Sequence, residues 1–254
     1  MTRRDPTEDL IWGLHSVEEA LAGAGRVREV LLDGGSGPGA RVLADRAKAA
    51  GLPVRLLPPQ AFRDLSRGRP FQGIAARVAA YLYADDDATI EAAAAHGDGV
   101  LLALDQVQDP QNLGSILRSA AFFGVRGVLL PQDRSAPVSP AAVRASAGAA
   151  GRVPVARVVN LARTVRACKD AGFFAVAAVA DGGVPPGAMP LPRGPVLLVV
   201  GSESEGVRRL VRESCDALVT VPSPGGFESL NVGVAAGVLL HALTVAMAAR
   251  GGAR

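Results

Sequence analysis

From residue 100 onward, short apolar runs alternate with amphipathic stretches. VLLAL (100–104), GVLL (127–130), FFAVAAVA (173–180), PVLLVV (195–200) and ALVTV (217–221) are nearly unbroken in apolar character, as strands covered on both faces are. Between them, 112–123, 139–147, 161–171 and 205–214 carry helical spacing, and 229–249 forms a long final apolar helix. This alternation predicts an α/β unit with a parallel sheet. Residues 10–80 predict a smaller α/β unit. It comprises a helix at 12–21 with Ser16 as its N-cap, a strand at 27–33, a helix at 41–50 closed by Gly51, and strands at 53–57 and 72–78. Between the two patterns, ADDDATIEAAAAHGDG (84–99) is acidic and alanine-rich, which predicts a linker carrying one helical turn or more, with a solvated helix as the alternative. The expected organisation is therefore a small domain over 1–82, a linker over 83–98 and a larger domain over 99–254.

Composition narrows the classes. Aromatic residues make up only 4% of the chain, so the core must rest on Leu, Val and Ala. Two cysteines, Cys168 and Cys215, exclude a disulfide framework and a cysteine-based zinc site. The first residues, MTRRDPTEDLIWGLH, lack the apolar run of a secretory signal. The apolar stretch 232–249 falls short of the roughly 20 residues of a membrane span and contains Gly233, Gly237 and His241. A buried helix in a cytoplasmic protein, with no membrane partner, is the expectation. Residues 1–84 carry a net charge of +3, 85–98 of −5 and 99–254 of +5. Basic segments on both sides suit a polyanionic partner, although 25 arginines against 2 lysines also reflect a general arginine preference.

Three segments place polar residues directly after predicted strands, where open parallel sheets bind their ligands. The first runs Asp105-Gln106-Val107-Gln108-Asp109-Pro110-Gln111-Asn112, with Asn112 at a predicted helix N-cap and Arg118 further along among apolar neighbours. A guanidinium there calls for a partner, and Asp105 or Asp109 is within sequence reach. The second, Gly201-Ser202-Glu203-Ser204-Glu205-Gly206, follows a strand but is neither a dinucleotide fingerprint nor a P-loop. Helix-dipole complementarity accounts for Glu205 better than for Glu203. The third, Val221-Pro222-Ser223-Pro224-Gly225-Gly226-Phe227-Glu228-Ser229-Leu230-Asn231, carries Ser229 and Asn231 to the start of the final helix, where capping is the simplest explanation. Histidines 15, 96 and 241 have neither triad nor metal spacing, which removes serine-hydrolase and paired-histidine metal chemistry.

Taken in order, the three segments resemble the three motifs of the SpoU family of RNA ribose 2′-O-methyltransferases. Gly13-Leu14-His15-Ser16-Val17, Gln72-Gly73-Ile74-Ala75, Pro131-Gln132-Asp133-Arg134-Ser135-Ala136 and Asn160-Leu161-Ala162-Arg163-Thr164 extend the resemblance over about residues 10–246. Within the family the likeness is greatest to bacterial members acting on a guanosine of 23S rRNA. The resemblance implies an L30e-like RNA-binding domain at the N-terminus. It further implies a SPOUT-type parallel sheet whose end is threaded as a trefoil knot, a homodimer, and S-adenosylmethionine as cofactor. Gly201, Val221 and Leu230 match the cofactor positions. Arg118 matches the catalytic arginine, and Asn112, Glu203, Ser229 and Asn231 match the remaining polar site positions. Phe71 departs from the family pattern, in which histidine commonly precedes Gln-Gly, and Glu228 matches no role.

The implied reaction moves a methyl group to a ribose 2′-oxygen, with 23S rRNA or a ribosomal precursor as partner and no role for DNA or a metal. The 2′-hydroxyl is what separates RNA from DNA. Arg118 is a guanidinium, which is not a general base. It is therefore expected to hold the neighbouring phosphate and stabilise developing alkoxide charge rather than act as the base. The alternatives are the same chemistry on tRNA or another rRNA nucleotide, or a non-catalytic assembly factor that keeps the fold.

Overall fold

The computed structural model describes residues 8–22, 27–66, 72–226 and 229–251. The chain divides into two compact units, 1–82 and 83–254. In the first unit, strand β1 (Glu8–Trp12) is followed by helix α1 (Leu14–Ala22), β2 (Val27–Asp33), α2 (Pro38–Ala49), β3 (Val54–Leu57), α3 (Pro59–Ser66) and β4 (Ile74–Ala79). The sheet order is β1-β4-β2-β3, with β4 antiparallel to β1 and β2, and β3 parallel to β2. Helices α1 and α2 bury Val17, Ala40 and Leu43 against Val30 and Ile74 on one face. Phe62 of α3 covers Leu31 and Ala75 on the other, with Trp12 edge-on to it at 5.7 Å. The helix expected over 12–21 begins two residues later. Trp12 pairs with Ala75 in the sheet, Gly13 turns the chain at φ +88°, and the free Leu14 amide donates to Gln72 Oε1 at 3.1 Å. Ser16 thus lies inside α1 and is not its cap. Phe71 lies outside the described residues.

In the second unit, the expected acidic linker is helix α4 (Asp86–Ala94), which packs on the sheet. Asp85 caps it by accepting from the Ala88 amide at 2.9 Å, and Asp86 and Asp87 complement the positive helix end. Ile90 and Ala93 are buried in the main core. The acidic run is thus the start of a core-packed helix.

Six strands follow: β5 (Val100–Asp105), β6 (Gly127–Pro131), β7 (Val155–Val158), β8 (Phe174–Ala178), β9 (Val196–Gly201) and β10 (Ala217–Val219). All pairings are parallel, in the order β10-β8-β9-β5-β6-β7. Helices α5 (Pro110–Phe122), α6 (Pro140–Ala145), α7 (Leu161–Asp170), α8 (Arg209–Glu213) and α9 (Val232–Gly251) connect or flank them. From β5 the chain steps outward through β6 to β7, crosses to β8, and returns to place β9 beside β5. The direction of winding therefore reverses between β5 and β9, where Asp105 stands in register with Gly201. Ligand crevices in open α/β sheets form at this type of reversal, beyond the strand carboxyl ends.

Two helical expectations change. The stretch predicted over 205–214 is helical only at Arg209–Glu213, because residues 202–206 fold back on themselves, with the Gly206 amide donating to the Ser202 carbonyl at 2.9 Å. The final helix begins at Val232, and its apolar window Val232–Ala249 is only 33% buried. It packs against α5, with Gly233 close to Ser115 and Gly237 close to Ser119, and leaves Val234, Val238 and Val245 exposed. By length and composition it would suffice to cross a membrane.

Candidate functional site

Loops from three strand ends converge at the β5/β9 reversal. After β5 the chain passes through Gln106, buried in a left-handed conformation with φ +61°, to Asp109, the N-cap of α5. Asp109 accepts from the Gln111 amide at 2.9 Å, and Pro110 occupies the first helical turn. Asn112 is therefore inside the helix and not its cap. Its side chain is left free to look outward.

It meets Glu203 and Asn231. Asn112 Nδ2 donates to Glu203 Oε1 at 3.1 Å, and Asn231 Nδ2 donates to the same oxygen at 2.7 Å and to Asn112 Oδ1 at 2.9 Å. The Val232 amide also donates to Glu203 Oε1, at 3.0 Å. Asn231 Oδ1 accepts from the Gly233 and Val234 amides at 3.0 and 3.3 Å, so Asn231 caps α9. One carboxylate oxygen thus binds two amide side chains and the first turn of α9. Residues 91 and 28 positions apart in the chain are locked together.

Gly201 shapes the loop that carries Glu203. A Cβ there would lie 2.0 Å from the Gly206 carbonyl carbon and 2.3 Å from the Val207 nitrogen. The chain's own return makes this close backbone approach. Two further contacts fix this loop. Buried Asp105 accepts from the Arg208 amide, Nε and Nη2 at 2.8, 2.8 and 2.7 Å, and Gln106 Nε2 donates to Glu205 Oε2 at 3.0 Å. Glu205 accordingly serves the loop and not a helix dipole. The Asp105–Arg208 pair and the Gln106–Glu205 bond went unread in the sequence. The one available signal was an aspartate ending an apolar strand.

Arg118 differs from expectation. It lies exposed on α5, and among the described residues no acceptor pairs with it; Asp105 is taken by Arg208 and Asp109 by the helix cap. Its guanidinium is open to an anion from solvent. Ser229 and Leu230, both exposed, immediately precede the Asn231 cap. Val221 is half-buried two residues after β10, and Glu228 lies outside the described residues. Among the predicted positions, direct hydrogen bonds join Asn112, Glu203 and Asn231. Gly201 is linked to that cluster through its loop, and Ser229 and Leu230 through the α9 cap. Val221 is half-buried and Leu230 is 45% exposed, and in the exposed segment 222–226 between them in sequence the Gly226 amide donates to the Ser223 carbonyl at 3.0 Å. Aliphatic side chains with main-chain polar groups nearby in sequence are chemistry that would suit an adenosyl group.

The chain matches the SpoU rRNA Methylase family over residues 99–241 and the RNA 2′-O ribose methyltransferase substrate-binding domain over 10–84. It is 42% identical over 233 residues to the 23S rRNA (guanosine-2′-O-)-methyltransferase RlmB of Xanthomonas campestris, covering 91% of this chain and 93% of that protein. It is 45% identical over 195 residues to an uncharacterized tRNA/rRNA methyltransferase of Mycobacterium avium, spanning 77% of this chain and 63% of that longer protein. Among solved structures, the SpoU methyltransferase AviRb of Streptomyces viridochromogenes in complex with AdoMet superposes with a TM-score of 0.62 at 26% identity, over 98% of this chain and 92% of that one. The strand-end loops, their asparagine–glutamate cluster and these likenesses agree: the chain belongs to the SpoU family and is an S-adenosylmethionine-dependent RNA 2′-O-ribose methyltransferase.

Proposed function

We propose that this protein methylates the ribose 2′-oxygen of a guanosine in the peptidyl-transferase region of 23S rRNA. The observation carrying this reading is the near-full-length likeness to RlmB of Xanthomonas campestris, together with the Asn112–Glu203–Asn231 cluster. When bound, S-adenosylmethionine supplies an activated methyl on a good leaving group. The chain's own residues supply position and charge. Arg118, which has no acceptor among the described residues, is assigned to the phosphate next to the target ribose and to the developing alkoxide. Asn112 and Asn231, oriented by Glu203, hold the ribose in line with the methyl. Gly201, Val221 and Leu230 are assigned to the cofactor, and Ser229 to the rim between cofactor and ribose. The proton leaves through phosphate or water, since a guanidinium is not a base.

The same reading includes a homodimer, an L30e-like first unit that delivers folded RNA, a cytoplasmic location and a knotted chain end. Support for the dimer is the apolar face of α9, where Val234, Val238 and Val245 stand 51, 40 and 54% exposed, with Phe122 of α5 at 82%. Rings connect the two helices there, Phe122 against Phe123 and Phe123 against His241. Such a face is uncommon on a monomer. Support for the knot is that α9 contacts both α5 and the 186–188 turn of the β8–β9 connection.

The test is transfer of labelled methyl from S-adenosylmethionine to unmodified bacterial 23S rRNA, with the site mapped by primer extension sensitive to ribose methylation. Label at one guanosine of the peptidyl-transferase region, lost with Arg118→Ala, supports the proposal. Label in tRNA or at another rRNA nucleotide replaces the substrate. Cofactor binding without transfer to any RNA favours an assembly role.

A further inference from the structure

We propose that a cleft beside the reaction centre holds a nucleotide flanking the methylated one, gripping its phosphate with Arg134 and packing its base or sugar on Val159 and Leu210. The proposal rests on the RNA methyltransferase reading and names a second subsite for the same strand. The cleft has a volume of about 440 Å³ and opens at the carboxyl ends of β6 and β7, against the start of α8. That is within the size range of small-ligand pockets. Arg134, Arg208 and Arg209 give its wall positive charge, with Asp133 the one acidic residue among its lining. Arg208 is committed to Asp105 and Arg209 to Glu213 at 2.9 Å, whereas Arg134 has no acceptor among the described residues. Val159 is 82% and Leu210 57% exposed, two bare aliphatic groups beside these cations. A phosphate next to a flat apolar group is the chemistry such a wall accepts, and a nucleotide has both.

The cleft is built, and not a gap in a loose loop. Arg134 adopts a left-handed backbone with φ +54°, which a non-glycine residue sustains only where its surroundings enforce it. The enforcement is visible on both sides. Arg157 Nη2 donates to the Pro131 and Gln132 carbonyls, and its guanidinium lies 5.5 Å from the centre of the Tyr83 ring. Tyr83 Oη in turn accepts from the Val138 amide at 2.9 Å, and the Ala136 amide donates to the Val107 carbonyl at 2.8 Å. The 131–138 loop is therefore pinned at each end while Arg134 projects between. Arg208 ties the cleft to the reaction centre. It lines the cleft and binds Asp105 at the β5/β9 reversal, so the two sites share one wall. A strand with its ribose at the reversal has a short path into the cleft.

The experiment uses the full chain, S-adenosylmethionine and a transcript of the peptidyl-transferase region of 23S rRNA. Arg134→Ala and Leu210→Asp are compared with Arg166→Ala, an exposed arginine on α7 that does not line the cleft. Arg134→Ala is expected to raise the KM for RNA on the order of tenfold, leaving kcat and cofactor affinity near wild type. Its plot of log affinity against log salt should flatten by about 0.7, the share of one single-strand phosphate. Leu210→Asp, which sets a carboxylate against that phosphate, should raise KM at least as far. Equal effects from Arg134→Ala and Arg166→Ala, or no change in KM and salt slope, overturn the subsite. A wild-type chain that binds cofactor but neither binds nor methylates the transcript overturns the 23S rRNA reading, and the subsite with it.

Discussion

Replacing Glu203 by alanine removes the acceptor on which three donors converge: Asn231 Nδ2 at 2.7 Å, Val232 N at 3.0 Å and Asn112 Nδ2 at 3.1 Å. A bond to a charged acceptor contributes about 1.5–3 kcal/mol when shielded, and an ordinary one about 0.5–1.5 kcal/mol net. Glu203 is exposed, so water competes for the asparagine amides and the lower range applies to them. Val232 is only 4% exposed, so its amide is poorly rehydrated once the carboxylate is gone. Roughly 0.5 kcal/mol for each asparagine and about 1 kcal/mol for Val232 give about 2 kcal/mol. The carboxylate's complementarity to the α9 dipole acts through that same amide and is not added again. For a unit the size of 83–254, about 2 kcal/mol lowers Tm by roughly 4–8 °C. Glu203→Gln keeps an oxygen in place and loses the charge, and about half that shift is expected.

Calorimetry of the full chain, with the second unit's transition assigned by cofactor-induced shift, reads the effect directly. A double-mutant cycle with Asn112→Ala sharpens it. Because both substitutions remove the same bond, the double variant should be less destabilised than the sum by about 0.5–1 kcal/mol. Methyl transfer should fall further than stability alone accounts for, since Ser229 and Leu230 hang on the same capped turn. A Glu203→Ala chain melting within about 1 °C of wild type, with strict additivity in the cycle, would refute the idea that this carboxylate fastens the start of α9.

Gly201→Ala forces the 202–206 return away by introducing a Cβ 2.0 Å from the Gly206 carbonyl carbon, and should cost about 1–3 kcal/mol and most of the methyl transfer; an active, equally stable variant counts against the loop geometry. Arg118→Lys should keep the fold and the RNA affinity but lower kcat by about 10–100-fold, because an ammonium cannot serve phosphate and alkoxide together; near-normal turnover refutes the paired role. Val238→Asp on the exposed face of α9 should convert a species of twice 25.9 kDa into the monomer in sedimentation, and a wild-type monomer defeats the dimer outright. Burial pushes the Cys168 and Cys215 thiols up to about 12, assisted at Cys215 by Asp216. The folded chain therefore holds these protons more tightly than the unfolded one. Their contribution is intact below pH about 9 and lost as pH rises toward 12, so urea midpoints should fall over that window and fall less in Cys168→Ala.

Much of the second unit's sheet was legible because its strands are buried on both faces and so carry unbroken runs such as Val196–Gly201. The strands that escaped notice are those whose neighbours dilute that signal. β7 is only Val155–Val158, with Arg157 turned outward to brace a loop. In the first unit, β1 ends at Trp12, one residue before the Gly13 turn, and its apolar residues merge with those of α1 into one apparent helix. The 84–99 segment misled for a related reason. Aspartates in a row resemble a solvated linker, yet Asp85, Asp86 and Asp87 are a cap and a first turn, and Thr89, Ile90 and Ala93 behind them form the buried face. Local charge could not tell these apart, because the distinction lies in what Ile90 and Ala93 pack against.

The site was legible for a different reason, and only in part. Asn231 looked like a helix cap, and it is one, through Oδ1 to Gly233 and Val234. Its Nδ2, the other end of the same amide, reaches Glu203 and Asn112. One side chain therefore both caps α9 and joins the cluster. Capping fixes the rotamer, and the fixed rotamer presents the amide to its partners. The reverse holds for Asn112. Sequence spacing suggested a cap, but Asp109 takes that task, which is what frees Asn112 for the cluster. Arg118 completes the pattern by contrast. A guanidinium with no acceptor among the described residues is tolerable on this helix because it is exposed, and the acids that might have neutralised it are held elsewhere, Asp105 by three donors of Arg208 and Asp109 by its own helix. What makes Arg118 available to a phosphate is thus decided at two other positions, and neither was readable without knowing that β9 returns to lie beside β5.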